Sequence, residues 1–130
     1  MATLSESELT YLGTQRLGRL ATLAPDGYPQ NNPVGFFHNA EPGTIDIGGH
    51  NLGDTRKFGN VRTHPKATLV VDDLASVQPW HVRGVEIRGD VEALVDVDPP
   101  MRGMSREIIR IHPARIRSWG LASDWPHHPG

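Results

Sequence analysis

The sequence predicts a mainly β protein, an antiparallel barrel of about six strands that is closed or nearly closed and flanked by short helices. Short runs of strand-favouring residues recur along the chain, and proline, glycine, asparagine and aspartate separate them. Only two short segments carry the signals of a helix start. This pattern favours a barrel over a parallel sheet with helical crossovers, and a two-sheet sandwich remains the alternative.

The chain opens with a predicted helix and a predicted hairpin. Ser5 and Glu8 have the spacing of a capping box, which starts a short helix that runs through Leu12. Residues 18–23 then have strand-favouring character. The Ala-Pro-Asp-Gly turn at residues 24–27 predicts that the next strand returns antiparallel, because proline fixes one φ and glycine supplies a positive one.

A third strand is expected to extend this hairpin into a meander. Residues 28–37 form the returning strand, and the turn at residues 39–43 leads into a strand at residues 44–48.

A second helix and a buried strand follow. Asp54 is placed to cap a short helix over residues 55–62. This helix ends before His64-Pro65, because the residue that precedes a proline is disfavoured in the α conformation. Residues 66–71 then form the strand.

The clearest alternation lies in the segment that begins at Val85. It puts Val85, Ile87 and Val91 on one face, which we expect to be buried, and charged residues on the other. Residues 107–119 make either a final strand pair or one strand that bends at Pro113.

Composition restricts the class of protein. The 130 residues suit one domain, here residues 1–121 with a flexible C-terminal tail at residues 122–130. Cysteine is absent, which excludes disulfides and thiolate chemistry. The formal net charge of -2 is spread over intermixed acids and bases, which argues against nucleic-acid binding. With no long apolar run and no leader, we expect a soluble cytoplasmic protein that does not bind membranes.

The clearest candidate site is the start of the second predicted helix, at Thr55, Arg56 and Lys57. Helix-start N–H groups, a guanidinium and an ammonium together suit a phosphate group. Gly48 and Gly49 would let backbone amides approach a ligand closely. Both features have plain alternatives, which are a solvated helix face and an ordinary turn.

Other chemistries have little support. The seven histidines show no metal-ligand spacing, so we predict no metal site. The chain has no nucleophile-elbow motif, and its glycines fit neither a dinucleotide fingerprint nor a Walker loop. We name no catalytic residue. The simplest interpretation of Trp80, Trp119 and Trp125 is that they anchor the core or an interface. Trp125, His127 and His128 lie in the predicted tail.

The order of segments resembles the pyridoxamine 5'-phosphate oxidase-like split β-barrel family. The resemblance extends over almost the whole chain from Tyr11 to Leu121. Five stretches carry it: residues 19–30, residues 32–36, residues 55–60 with His64-Pro65 and Ala67 after them, residues 85–89, and residues 110–120. The length is similar to that of the short deazaflavin-using branch of the family.

This resemblance implies a six-stranded split β-barrel and a homodimer whose second subunit closes the cofactor pocket. It implies that Arg56 and Lys57 hold the cofactor phosphate, that Pro33 and Val34 lie along the ring system, and that Trp119 lines the ring pocket. The full set of expected cofactor contacts is Asn32, Pro33, Val34, Gly48, Gly49, His50, Thr55, Arg56, Lys57, Asn60, Trp80 and Trp119. Coenzyme F420 is the first expected cofactor and FMN the second.

The implied function is that of a reductase that transfers a hydride from reduced F420 or FMN to a small organic acceptor. The alternative is a non-catalytic flavin- or haem-binding protein, in which His38, His50 or His81 would ligate the haem iron. One residue departs from the family pattern. Asp54 directly precedes the cationic turn, and an aspartate cap would occupy amides that a phosphate needs.

Overall fold

Seven strands of one antiparallel sheet make up most of the computed structural model, which describes residues 1–121. The strands are β1 (Leu17–Leu23), β2 (Pro29–Gly35), β3 (Phe37–Asn39), β4 (Thr44–Ile47), β5 (Lys66–Ser76), β6 (His81–Val95) and β7 (Glu107–Trp119). The helices are α1 (Glu6–Leu12) and α2 (Arg56–Thr63), and a short 3₁₀ turn (Leu52–Asp54) precedes α2. The predicted tail at residues 122–130, with Trp125, His127 and His128, lies outside the described residues.

The order in which the strands pair closes the sheet into a barrel. β2 and β3 stand at opposite ends of the order β2-β1-β5-β6-β7-β4-β3. Only Phe36 separates them in the chain, so the two edges of the sheet meet there and the sheet curves back on itself. The predicted mainly β split barrel is confirmed. The strand count is seven rather than six, because the sequence pattern merged the three-residue β3 with β2.

The predicted meander over residues 18–48 is wrong. β2 pairs with β1 as expected, but β4 pairs with β3 on one side and with β7 on the other. Side-chain alternation predicts which face of a strand is buried, but it does not select the neighbouring strand. Closure of the barrel carries the chain from one sheet edge to the other at Phe36.

The core follows the alternation predicted for β6. Val85 and Ile87 are fully buried and Val91 is 7% exposed, whereas Arg88 and Asp90 point outward and are exposed. Buried apolar side chains of β1, β2, β4, β5 and β7, of the 3₁₀ turn and of both helices complete this core. β5 is longer than expected and alternates in burial, because its end forms a hairpin with β6 that extends past the neighbouring strands.

β7 is one strand, and it carries a bulge next to Pro113. Gly89 of β6 pairs with Pro113 and Arg88 pairs with Arg115, so Ala114 is an extra residue on β7. Gly89 lies so close to β7 that a Cβ there would come within 2.2 Å of the His112 carbonyl oxygen. The predicted single strand with a bend is the alternative that the structure confirms.

The first helix begins as predicted and the second does not. The Ser5 hydroxyl accepts from the Glu8 N–H at 3.1 Å, and the Glu8 carboxylate accepts from the Ser5 N–H at 2.8 Å, which completes the capping box. The N-cap of α2 is Thr55 rather than Asp54, which lies in the preceding 3₁₀ turn. None of the helices in the described part of the chain is long and apolar enough to cross a membrane.

Candidate functional site

The start of α2 leaves backbone donors free. The Thr55 hydroxyl donates to the Leu52 carbonyl oxygen at 2.6 Å and accepts from the Phe58 N–H at 3.3 Å. The Arg56 and Lys57 N–H groups have no hydrogen-bond partner among residues 1–121. Because Asp54 does not cap the helix, the sequence-based objection that an aspartate occupies these amides does not hold, and the helix start is open to an anion.

Lys57 lines a cavity of about 270 Å³ between the end of β2 and the segment after β4. Seven of the residues predicted to contact a cofactor meet there: Pro33, Val34, Gly48, Gly49, His50, Thr55 and Lys57. Gly35, Asn51 and Leu52 also line this cavity and were not predicted. The chain segments that carry these residues are far apart in the sheet order, and barrel closure brings them together.

Arg56 lines a different cavity, of about 580 Å³. Successive residues of an α-helix point about 100° apart, so the two adjacent cations face different spaces. The second cavity lies against the β1–β2 turn, where Asp26 adds a carboxylate, and Asn60 also lines it. The Asn60 amide donates at 3.0 Å to both the Thr22 hydroxyl and the Gln30 carbonyl oxygen, so this buried residue also ties α2 to the barrel.

The two cations that line these cavities have no acidic partner in the described part of the chain. Neither Arg56 nor Lys57 forms an ion pair with an acid among residues 1–121. Six of the other eleven lysines and arginines do form one: Arg19 with Asp72, Lys66 with Asp90, Arg83 with Asp73, Arg88 with Glu86, Arg106 with Asp98, and Arg110 with Asp46. Two unpaired cations beside free backbone N–H groups are therefore available for an external anion.

The two glycines after β4 differ in what they permit. A Cβ at Gly48 would lie 2.7 Å from Met104 Sδ and 3.0 Å from Pro100, so this glycine allows the β6–β7 loop to pack closely. At Gly49 the nearest neighbour of such a Cβ is 3.8 Å away, which leaves room for a ligand. The N–H groups of Gly49, His50 and Asn51 have no hydrogen-bond partner within the described range 1–121.

The remaining predicted residues lie apart from both cavities. Asn32 is half-buried on β2, where its side-chain carbonyl accepts from the Gln30 amide at 3.0 Å. Trp80 is 62% exposed in the β5–β6 turn. Trp119 packs on Gly84, where a Cβ would come within 2.5 Å of the indole ring.

A separate polar cluster lies under α1. The Tyr11 hydroxyl donates to the Asp73 carboxylate at 2.8 Å, and Arg83 forms a two-pronged ion pair with the same carboxylate. Burial and the bond to Asp73 raise the pKa of Tyr11 well above its usual range. The Arg83 fork holds the pKa of Asp73 below its usual range. This cluster fixes α1 to the β5–β6 hairpin and does not touch the cavity of Lys57.

Comparison with known proteins places these features in a family. The family model for pyridoxamine 5'-phosphate oxidase matches residues 4–120. A 5a,11a-dehydrotetracycline/5a,11a-dehydrooxytetracycline reductase of Streptomyces rimosus is 43% identical over 126 residues, which cover 92% of this chain and 85% of that protein.

Two solved structures share the fold. A conserved hypothetical protein of Mycobacterium tuberculosis superimposes with a TM-score of 0.71 and 23% identity, over 91% of this chain and 86% of that one. An F420 reductase superimposes with a TM-score of 0.65 and 22% identity, over 88% of this chain and 98% of that one.

Proposed function

Because the chain belongs to the pyridoxamine 5'-phosphate oxidase family and is an oxidoreductase with a flavin-type cofactor, we propose that it transfers a hydride from reduced coenzyme F420 to a small organic acceptor. FMN is the second choice of cofactor. The observation that carries the proposal is the cavity beside Lys57, which combines an unpaired cation, free backbone N–H groups and an apolar wall.

The residues of this cavity fit a phosphorylated ring cofactor. A phosphate needs several N–H donors and a positive charge, which the start of α2 and the turn after β4 offer. Each charge-assisted hydrogen bond contributes roughly 1.5–3 kcal/mol, so Lys57 and two or three amides suffice for micromolar affinity. Pro33 and Val34 supply the apolar wall along which a flat ring can lie.

The protein contributes binding, orientation and exclusion of water. When bound, a reduced deazaflavin or flavin supplies the hydride. Lys57 and the free N–H groups at the start of α2 would fix the phosphate end, and the backbone of Pro33 and Val34 would fix the plane of the ring. Burial of Val34, which is 6% exposed, keeps that wall rigid. A ring held in one orientation presents the same reactive atom to every acceptor, which is the main catalytic gain of such a site.

F420 is preferred over FMN because an F420 reductase shares the fold over nearly its full length. The acceptor to test first is 5a,11a-dehydrotetracycline, because the Streptomyces rimosus relative is a reductase of this compound. An acceptor of this class takes the hydride at carbon and a proton from water or a pocket side chain, which balances the reduction.

A homodimer forms part of the proposal. Trp80 and Trp119 do not contribute to the cavity of Lys57 within one subunit. A contact between either indole and the cofactor therefore requires a second subunit. Leu74, Val77 and Trp80 of the β5–β6 hairpin are 42%, 69% and 62% exposed, and apolar side chains grouped in this way are typical of subunit contacts.

The alternative function is non-catalytic binding of a flavin or haem. His50 favours it, because this histidine lines the same cavity and its Nδ1 lies 3.2 Å from the Gly103 carbonyl oxygen. A ring fixed through Nδ1 leaves Nε2 for an iron atom. Titration with haem would then produce a Soret band that His50→Ala abolishes.

Titration of the purified protein with F420 and with FMN tests the proposal. We expect saturable binding of at least one cofactor at micromolar concentration, followed by oxidation of the reduced cofactor when the dehydrotetracycline is added. Lys57→Gln should weaken binding by roughly 10- to 100-fold through loss of a charge-assisted bond. Arg62→Gln, at the other end of α2, is the matched control and should leave affinity unchanged. Failure of both cofactors to bind would overturn the proposal.

A further inference from the structure

The β6–β7 loop, residues 96–106, holds the turn that lines the cavity of Lys57. This turn, residues 48–53, has little regular structure of its own. Its contacts with the loop come from residues that are about fifty positions away in the sequence. The shape of the cavity therefore depends on a segment that does not line it.

Ser105 makes the central contacts. Its hydroxyl donates to the Gly49 carbonyl oxygen at 3.0 Å and accepts from the Leu52 N–H at 3.0 Å, and its own N–H donates to the same Gly49 oxygen at 2.8 Å. One side chain thus satisfies a carbonyl and an amide that stand three residues apart in the turn. The N–H groups between them, on His50 and Asn51, keep no partner among residues 1–121.

Two further contacts fix the ends of the turn. The Gly53 N–H donates to the Glu107 carboxylate at 2.9 Å. Met104 and Pro100 pack against Gly48 so closely that a Cβ would not fit. The middle of the turn, where the free N–H groups lie, is held by Ser105 and by the contact of His50 Nδ1 with the Gly103 carbonyl oxygen at 3.2 Å.

We infer that Ser105 is a positioning residue, which holds the turn after β4 so that its free N–H groups face the bound cofactor. The inference rests on the proposed function, since it concerns the same cavity. Ser105 itself does not line the cavity and acts through Gly49 and Leu52. Without the hydroxyl, the Leu52 N–H loses its acceptor and the Gly49 oxygen loses one of its two donors. The turn can then rotate its free N–H groups away from the cavity.

Cofactor affinity of Ser105→Ala and Ser105→Thr tests this inference. We expect Ser105→Ala to bind the preferred cofactor roughly 3- to 10-fold more weakly, and Ser105→Thr, which keeps the hydroxyl, to recover most of that loss. Hydrogen exchange should show faster exchange of the Leu52 amide in Ser105→Ala, with the unfolding temperature lowered by no more than the loss of these hydrogen bonds accounts for and with unfolding still cooperative. Thr14→Ala is the control, because it also removes a hydroxyl that donates to a backbone carbonyl oxygen, that of Tyr11 at 2.6 Å, but lies after α1 and does not line the cavity.

The outcomes separate this inference from the proposed function. If the wild-type protein binds neither F420 nor FMN, the proposed function fails and the role of Ser105 fails with it. If the wild type binds but Ser105→Ala binds equally well, only the role of Ser105 is overturned. Equal losses in Ser105→Ala and Ser105→Thr, or loss of cooperative unfolding in Ser105→Ala, would also overturn it, because the effect would then come from packing.

Discussion

At the scale of single residues, the buried carboxylate of Asp46 is a group in the barrel wall that needs hydrogen-bond partners and an opposite charge to be stable. Asp46 is 4% exposed, and Arg110 binds it with two hydrogen bonds of 3.0 Å. The Thr44 hydroxyl and the Asn39 amide donate to the remaining positions, so the carboxylate is fully satisfied. The bond to Asp46 raises the pKa of Arg110, which keeps the pair charged.

Replacement of Asp46 by alanine should destabilise the fold by about 3 kcal/mol, because it leaves Arg110 without its partner. We place the loss at the low end of the range for buried pairs, since the Arg110 side chain is 24% exposed and water can reach it. Urea unfolding measures the change. Asp98→Ala is the control, because Asp98 is 95% exposed in its pair with Arg106 and should cost at most about 0.5 kcal/mol. Equal losses in the two variants would contradict this account.

The lowered pKa of Asp73 makes a prediction about pH. In the unfolded chain an aspartate has a pKa of about 3.9, and in the folded protein the hydrogen bonds from Arg83 hold the pKa of Asp73 below that value. The stabilisation is therefore present above about pH 4 and is lost as the pH falls through the folded pKa. The difference in urea midpoint between the wild type and Asp73→Asn should shrink between about pH 6 and about pH 3. A difference that stays constant over this range would contradict the assignment.

Several single residues were predictable from the sequence and one was not. The Ser5–Glu8 capping box and the burial of Val85 and Ile87 follow from local spacing, which the sequence shows directly. Thr55 and Asp54 are both good N-cap residues, and they stand side by side. The 3₁₀ turn that precedes α2 decides between them, because it brings the Leu52 carbonyl oxygen to the Thr55 hydroxyl.

At the scale of elements, the bulge at Ala114 keeps both halves of β7 in register with β6. Ile111 and Ile116 both lie on the core side although an odd number of positions separates them, since the extra residue restores the alternation. Sequence alternation alone allowed either a strand pair or one bent strand. The pattern does not distinguish these two alternatives, because a bulge and a break interrupt the alternation in the same way.

Deletion of Ala114 should therefore exchange the core-facing and solvent-facing sides of the end of β7. Arg115 and Arg117 would point into the core and Ile116 into solvent, because a shift of one residue exchanges the two faces of a strand. We expect the deletion variant to lose cooperative thermal unfolding. Ala114→Gly keeps the residue count and should unfold cooperatively, within about 1 kcal/mol of the wild type. A deletion variant as stable as Ala114→Gly would refute this reading of the bulge.

The sequence could not predict all of the strand pairing, for a related reason. Short turns predicted the β1–β2 and β3–β4 hairpins correctly, since local turns join neighbouring strands. The link from β2 to β3 crosses between sheet edges at Phe36, and nothing in the local pattern marks a closure of the barrel. The sequence did not predict a role for Ser105 for the same reason, because its contacts with the turn after β4 form only when β7 lies beside β4.

At the scale of the whole molecule, the proposed homodimer assigns the exposed Trp80 to a contact between subunits. Trp80→Ala should weaken both self-association and cofactor affinity, because removal of a large apolar side chain from an interface costs binding energy. Light scattering during gel filtration reports the first effect and cofactor titration the second. Val95→Ala alters a side chain that is 52% exposed near the opposite end of β6 and serves as the control. A Trp80→Ala protein that matches the wild type in both measurements would contradict this assignment.

The central claim is that Lys57 and the neighbouring free amides hold the phosphate of a ring cofactor. The most direct test compares the affinity for FMN with that for riboflavin, which lacks the phosphate, in the wild type and in Lys57→Gln. We predict that the wild type prefers FMN by roughly 10-fold or more and that Lys57→Gln loses most of this preference, with riboflavin affinity unchanged. A preference for FMN that is as strong in Lys57→Gln as in the wild type would contradict the claim.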